Sequence, residues 1–259
     1  MPTIEVPGAR LVFDALGKGD PIVFLHGVGS VRDTWAGQLE EFGTTNLAVA
    51  LDARGHGESA APADTISMES FASDTAAVID ALGAGPAHIC GLSMGGVIAL
   101  HTWRDHPAAV HSLILCDSWA WHPKAAAGQE ARLAAIDADD MPKLAGDRMP
   151  AVYGPGAAPE LVQRGIEVCA HKDKAAYRQS SAVLWTVDLR SVAASIRVPT
   201  LILVGEHDTV TPPHLSEELN RLIPGSTLVV IPGSGHLTNE ENPAAFNAAV
   251  HEFLSEIAT

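Results

Sequence analysis

The stretch Ala87-His88-Ile89-Cys90-Gly91-Leu92-Ser93-Met94-Gly95-Gly96-Val97-Ile98 decides the fold. Inside it, Gly91 to Gly95 forms a Gly-x-Ser-x-Gly pattern, which sets a serine on a sharp turn between a strand and a helix. The requirement is steric. A serine in so tight a turn needs Gly91 and Gly95 beside it, because side chains there would collide with neighbouring backbone. The turn lifts the hydroxyl clear of the sheet, where a base can reach it and an acyl-serine can form. In a chain with 23 glycines the pattern alone is weak, and a glycine-rich turn with a capping serine would read the same. The flanks separate the two readings. Ala87 to Cys90 is a short apolar run after the turn formers Gly85 and Pro86, as expected of a buried strand. Met94 to Trp103 has no proline and good helix formers, with Val97, Ile98 and Leu100 available to a core.

Working outward, strand and helix signals alternate. Thr3–Val6 and Arg10–Ala15 flank Pro7-Gly8 and predict a hairpin. Ile22–Leu25, Leu47–Leu51, Val110–Cys116, Thr200–Val204 and Thr227–Ile231 read as buried strands. Ser67–Leu82 carries Phe71, Thr75, Val78, Ile79 and Leu82 at helical spacing and closes on Gly83. This order predicts the α/β class, a mostly parallel sheet with helices on both faces and ligands bound beyond the strand carboxyl ends. Between Ser118 and Asp188 the strand signals stop. Ala125–Ala138, Pro159–Ala170 and Asp173–Trp185 read as helices, with breaks near Met141-Pro142 and Gly154-Pro155-Gly156. The expected division is therefore a core of residues 1–118 and 189–259 and a helical cap of residues 119–188. Trp119, Trp121, Tyr153 and Trp185 fall in the cap. Aromatics there serve packing first, but Trp121, Tyr153 and Trp185, with Leu237 from the last loop, are the candidates to line a substrate cavity.

Composition narrows the function. With 259 residues, 47% of them hydrophobic, the chain can bury a large core. Its 31 acidic and 16 basic residues give a net charge of −15, which argues against a nucleic-acid partner. No apolar run reaches the roughly 20 residues of a membrane helix, and Met1 to Glu5 does not open a signal peptide. The three cysteines, Cys90, Cys116 and Cys169, are too few and scattered for a disulfide framework or zinc site. A reducing cytoplasm is the expected setting. The twelve histidines contain no His-Glu-x-x-His and no compact cluster, so no metal is expected.

A serine hydroxyl needs a base to take its proton, and a histidine base needs a carboxylate to fix its tautomer. After a strand–elbow–helix nucleophile the chain order is serine, acid, histidine. Asp208 follows the strand Thr200–Val204, and His236 sits on the loop after Thr227–Ile231, so Ser93, Asp208 and His236 occupy strand ends on one sheet edge. Taken singly, Asp208 reads as a helix-capping residue and His236 as an exposed loop histidine; the ordered set favours a triad. Glu206 and Asp117 are rival acids. The oxyanion needs two donors, and the backbone N–H groups of Met94 and of Val28, in His26-Gly27-Val28-Gly29, are expected to supply them. His26 is read as a brace for that turn, and Arg54 and His56 as braces of the turn after Asp52.

These motifs resemble the α/β-hydrolase family along the whole chain: the His26-Gly27 turn, the Asp52 to Gly57 turn, the Ser93 elbow, the Asp208 loop and the His236 loop. The resemblance implies the α/β-hydrolase fold with a helical cap, hydrolysis of a small-molecule substrate through an acyl-enzyme, and no cofactor. Within the family the chain is similar to 3-oxoadipate enol-lactonases in Cys90 to Gly96, Leu115-Cys116-Asp117, Lys172-Asp173-Lys174 to Tyr177, Asp188-Leu189-Arg190, Val198-Pro199 and His236-Leu237-Thr238-Asn239. That branch often carries Asn-Ser-Leu-Gly where this chain has His26 to Gly29. A carboxylate-bearing lactone would want a cationic pocket residue, which the sequence does not single out. The alternatives are a carbon–carbon bond hydrolase of ring-cleavage products, which usually has tryptophan where this chain has Leu237; a general carboxylesterase; and a lactone receptor of the same fold with little turnover.

Overall fold

The computed structural model describes residues 2–257; Met1, Ala258 and Thr259 lie outside it. Eight strands form one sheet: β1 (Thr3–Val6), β2 (Ala9–Gly17), β3 (Pro21–Leu25), β4 (Leu47–Leu51), β5 (Ala87–Leu92), β6 (Val110–Cys116), β7 (Thr200–Gly205) and β8 (Thr227–Ile231). Their order is β1-β2-β4-β3-β5-β6-β7-β8. β2 pairs antiparallel with β1 and β4, and all other pairings are parallel. Parallel pairing brings the carboxyl ends of β3 to β8 to one edge, so the loops after them converge.

The central strands are buried on both faces, as their unbroken apolar runs require. In β3, Val23 and Leu25 belong to one core cluster while Ile22 and Phe24 belong to the other. Phe24 packs 5.0 Å from Trp35 in the second cluster, centroid to centroid. Among the helices that cover the sheet are α1 (Ala36–Phe42), α2 (Met68–Leu82) and α3 (Met94–Asp105). Ser67 caps α2 through a reciprocal bond pair with Ser70, and Gly83 ends it at φ 65°.

Between β6 and β7 the chain is helical: α4 (Pro123–Ala127), α5 (Gln129–Ala138), α6 (Met141–Arg148), α7 (Pro159–Ala170), α8 (Lys174–Leu184) and α9 (Arg190–Ser195). One expectation needs correction. The helix expected over Ala125–Ala138 is interrupted at Gly128, which ends α4 and opens α5. The expected break near Met141-Pro142 falls at Asp139-Asp140, and Met141 then starts α6. Asp140 caps that helix by accepting from the Lys143 N–H at 2.9 Å, and the proline falls in the first turn, where no N–H is needed. The ends of the segment meet: Trp121 and Asp188 form an isolated antiparallel bridge, and Leu189 N–H donates to Ala120 O at 2.8 Å. After β7 come α10 (Pro213–Leu222), α11 (Thr238–Glu241) and α12 (Pro243–Ile257). No helix among the described residues is long and apolar enough to cross a membrane, and Cys90, Cys116 and Cys169 are buried free thiols.

The turn after β4 is fixed by a buried ion pair. Arg54 grips both oxygens of Asp74, on α2, at 2.6 Å, with both side chains nearly inaccessible. Asp74→Ala would strand the guanidinium in a dry site, and a destabilisation of about 3–5 kcal/mol is expected in urea denaturation. A loss below about 1 kcal/mol would place the pair in the class of weak surface bridges instead.

Candidate active site

Strand β5 delivers Ser93 at its carboxyl end, and Ser93 is one of two non-glycine residues at positive φ among the described residues (φ 54°, ψ −113°). Two glycines permit this. A Cβ on Gly95 would strike the Leu25 carbonyl of β3, and one on Gly91 would strike the Gly95 carbonyl. The strained residue is pinned on both sides. Its N–H donates to Cys116 O at 2.9 Å, and its carbonyl accepts from Gly96 N, Val97 N and Ser118 Oγ at 3.0, 3.2 and 3.0 Å.

The loops after β7 and β8 bring Asp208 and His236 together. His236 Nδ1 lies 2.8 Å from Asp208 Oδ2, with both residues buried. Three further donors hold the carboxylate: Thr211 Oγ1 to Oδ2 at 2.6 Å, and the N–H groups of Val210 and Thr211 to Oδ1 at 2.8 and 2.9 Å. Burial works against the Asp208 charge, but the facing His236 and these bonds outweigh it and hold the carboxyl below its usual range. Burial likewise opposes charge on His236, and the Asp208 carboxylate overcomes it, raising the imidazole above 6.5. That is the electrostatic setting of a base paired to an acid.

Asp117, the rival acid, ends β6 at φ 47° and is fully buried. Its oxygens are engaged elsewhere: Oδ1 accepts from Gly205 N–H at 2.8 Å, and Oδ2 lies 2.6 Å from Thr238 Oγ1. Burial, with the neighbouring Asp208 charge, pushes its carboxyl well above the usual range. Asp117 therefore ties β6 to β7 and α11 while Asp208 takes the imidazole. Glu206 is exposed and accepts from Gly233 N–H at 3.0 Å, away from the ring. Asp117, Asp208 and His236 place potential ligand atoms within 4.8 Å of one another. Those atoms are occupied by mutual and backbone hydrogen bonds, which fit a proton network rather than a cation.

The turn after β3 lies against the serine: a Cβ on Gly27 would sit 3.4 Å from Ser93 Cβ. Ser30 N–H closes the turn on Gly27 O at 3.0 Å. His26 braces it, with Nδ1 2.8 Å from Gly27 O and Nε2 accepting from Ala53 N–H at 3.1 Å. Burial holds His26 neutral, at about 3, in the tautomer those bonds need. Among the described residues no protein acceptor engages the Val28 N–H. Met94 opens α3, where helical geometry leaves its N–H without an intrahelical partner. Both expected oxyanion donors thus border Ser93.

A cavity of about 530 Å³ opens over the serine, and Ser93, His236, Val28, Leu237, Tyr153 and Trp185 line it. Trp121, expected among them, does not. It sits at the base of the helical segment, in the bridge to Asp188, with the Arg190 guanidinium 4.1 Å over its ring. Trp185 stacks on Trp119 at 4.7 Å and also lines the cavity. Sequence reasoning missed Thr211, the clamp on Asp208, although Asp-x-x-Thr is a local turn signal. It also missed Glu241, which collects the N–H groups of Gly235 and Leu237 on either side of His236, at 3.0 and 3.1 Å, and that of Gly154 at 2.7 Å.

Residues 22–249 match the Alpha/beta hydrolase family, so the chain belongs to that family. It is 27% identical to the 3-oxoadipate enol-lactonase 2 of Acinetobacter baylyi, over 97% of this chain and 96% of that one. Among solved structures it resembles a malate-bound thermophilic esterase from Thermogutta terrifontis, with TM-score 0.90 and 29% identity over 99% and 97% of the two chains. It also resembles the enol-lactonase of Burkholderia xenovorans, with TM-score 0.90 and 27% identity over 98% and 100%.

The two buried carboxylates are separable by rate. Asp208→Asn would present the wrong tautomer of His236 and lower ester turnover by about 10⁴-fold. Asp117→Asn keeps the Gly205 contact and is expected to lose far less. Steady-state kinetics on a short aryl ester measures both, and the reverse ranking would move the acid to Asp117.

Proposed function

We propose that this alpha/beta hydrolase is a serine hydrolase that cleaves a small ester or lactone through an acyl-enzyme, with Ser93 as nucleophile, His236 as base and Asp208 as acid. One observation carries the reading: a serine strained to positive φ lines a cavity that is also lined by His236, itself paired with the buried Asp208. Ser93 Oγ attacks the carbonyl carbon as His236 takes its proton, and Asp208 stabilises the imidazolium that results. The Val28 and Met94 N–H groups receive the oxyanion. His236 then returns the proton to the leaving oxygen, which in a lactone stays tethered to the acyl group. Water, activated by the same histidine, releases the product. Residues 119–188 act as a cap that shapes the cavity and sets the substrate.

The cap supports a carboxylate-bearing substrate of the enol-lactone type. Arg132, Arg148 and Arg164 all line the cavity. Arg164 is paired with Glu240. Among the described residues no carboxylate pairs with Arg132 or Arg148. Burial, then the like charge of Arg148, pulls the Arg132 guanidinium below its usual value. Two partly desolvated cations without an anion form a receptor for one. An enol-lactone of 3-oxoadipate retains one free carboxylate after ring closure, and relatives carrying that activity align over nearly the full chain.

Ser93→Ala is expected to abolish turnover and leave the melting temperature within a few degrees of wild type. A fluorophosphonate should add one mass increment to wild type and none to the variant; labelling of the alanine protein would remove Ser93 as nucleophile. The pair Arg132→Ala and Arg148→Ala should raise KM for a lactone acid about tenfold more than KM for a neutral aryl ester. Equal changes for both substrates would argue for the general carboxylesterase.

A further inference from the structure

The turn that bears the Val28 N–H is held on its sheet side by His26 and by the Arg32 N–H, which donates to Asp52 Oδ1 at 2.8 Å. On its other side it meets the helical segment over the site. Lys172 lies between α7 and α8, and its ammonium donates to the carbonyl of Ser30. Among the described residues this is the one hydrogen bond between residues 119–188 and the Gly27–Val31 turn. Apolar contact flanks it: a Cβ on Gly29 would touch Met149 Sδ at 3.5 Å and Cys169 Sγ at 3.9 Å.

Lys172 is unusual for a lysine. It is only 9% exposed, and among the described residues no carboxylate lies within ion-pair distance of it. A buried ammonium without a counter-ion is unfavourable unless its donors are used. Its charge faces His26 and His56 among the bases and Asp52 and Cys169 among the acids. His171, Asp173 and Glu167 line, with Lys172 and Val31, a second cavity of about 670 Å³ that borders the turn.

We propose that Lys172 is a positioning residue that couples the seating of the helical segment to the oxyanion turn: by holding the Ser30 carbonyl, it fixes the Gly27–Val31 turn so that the Val28 N–H points at the developing oxyanion. The inference rests on the reading of Ser93 as nucleophile. The chain of effects is short. Ser30 N–H closes the turn on Gly27 O at 3.0 Å, and Val28 is one of the two residues inside that closure. Loosening Ser30 therefore loosens the donor. An oxyanion donor acts only when preorganised, so misplacement lowers kcat rather than substrate binding.

Burial lowers the Lys172 ammonium to about 7. The charged form gives the stronger, charge-assisted bond to Ser30 O, and the neutral amine a weaker one. Loss of the Lys172 charge as the pH passes about 7 should therefore lower activity to a plateau set by the neutral amine.

Lys172→Met keeps the length of the side chain, removes the donor and removes the buried charge. Hydrogen exchange on the free protein, read on a peptide covering residues 26–32, should show the Ser30 and Arg32 amides exchanging about tenfold faster than in wild type, with residues 94–98 unchanged. On p-nitrophenyl acetate, kcat should fall about tenfold with KM within about twofold. The decline on the alkaline side of the profile should disappear. Unchanged exchange over residues 26–32 would overturn the proposal, as would equal acceleration over 94–98 with kcat and KM altered together, the mark of a structural role alone. If Ser93→Ala retained full activity, the nucleophile assignment would fail by itself, and the exchange data would still decide the anchor.

Discussion

The contact on which the site depends is the approach of the amino end of α3 to the backbone of β3, where Gly95 rests on the carbonyl of Leu25. That approach leaves no room for a gradual turn after β5. The chain reverses at a single residue, and Ser93 takes a φ of 54° that a larger loop would have spread over several positions. The strain persists because the surroundings over-determine it: Cys116 holds the serine N–H and three donors hold its carbonyl. The parallel sheet multiplies the effect. Each neighbouring strand ends at the same edge, so the loops that carry His26, Asp117, Asp208 and His236 gather at the edge where Ser93 turns.

That convergence creates an electrostatic problem, since two buried carboxylates end up beside one imidazole. The hydrogen-bond count resolves it. Asp208 receives Thr211 Oγ1, two N–H groups and the imidazole, enough to keep its charge in a dry setting. Asp117 has two polar contacts and complete burial, and Asp208 already supplies the local negative charge, so its own ionisation is suppressed. A single negative charge behind His236 stabilises the imidazolium against the cost of its burial. Thr211 ties the two acids together, with its hydroxyl 2.6 Å from Asp208 Oδ2 and 2.9 Å from the Asp117 carbonyl.

The legible parts of this arrangement share one property: they are set by neighbours in the chain. Strand runs, the Ser67–Gly83 helix and the elbow follow from local sterics and periodicity, and strand order then places Asp208 and His236 at one edge. What escaped reading depends on contacts between distant segments. Arg132, Arg148 and Lys172 look like solvated charges in sequence, because nothing in their own helices or loops shows that another segment covers them. Trp121 looks like a pocket aromatic for the converse reason: only the bridge to Asp188 shows that it belongs to the base of the segment. The break near Met141-Pro142 was legible, but the helix α6 that follows it was not, because only the structure shows that its first turn accepts the proline.

The distribution of charge gives these missed residues a common logic. A chain with a net charge of −15 repels anions at a distance, yet it keeps two arginines over the cavity and an ammonium behind the oxyanion turn. Inside a site of low dielectric such charges act far more strongly than the exposed carboxylates, whose field water and salt screen within about 10 Å. Attack on an ester that carries its own carboxylate places two negative charges in the cavity, one fixed in the substrate and one appearing at the reacting oxygen. On the proposed reading the arginines would answer the first and Lys172, through the Ser30 carbonyl and the turn, the second. Because all three come from residues 119–188, substrate selection and competence for the reaction would be governed by the seating of one segment.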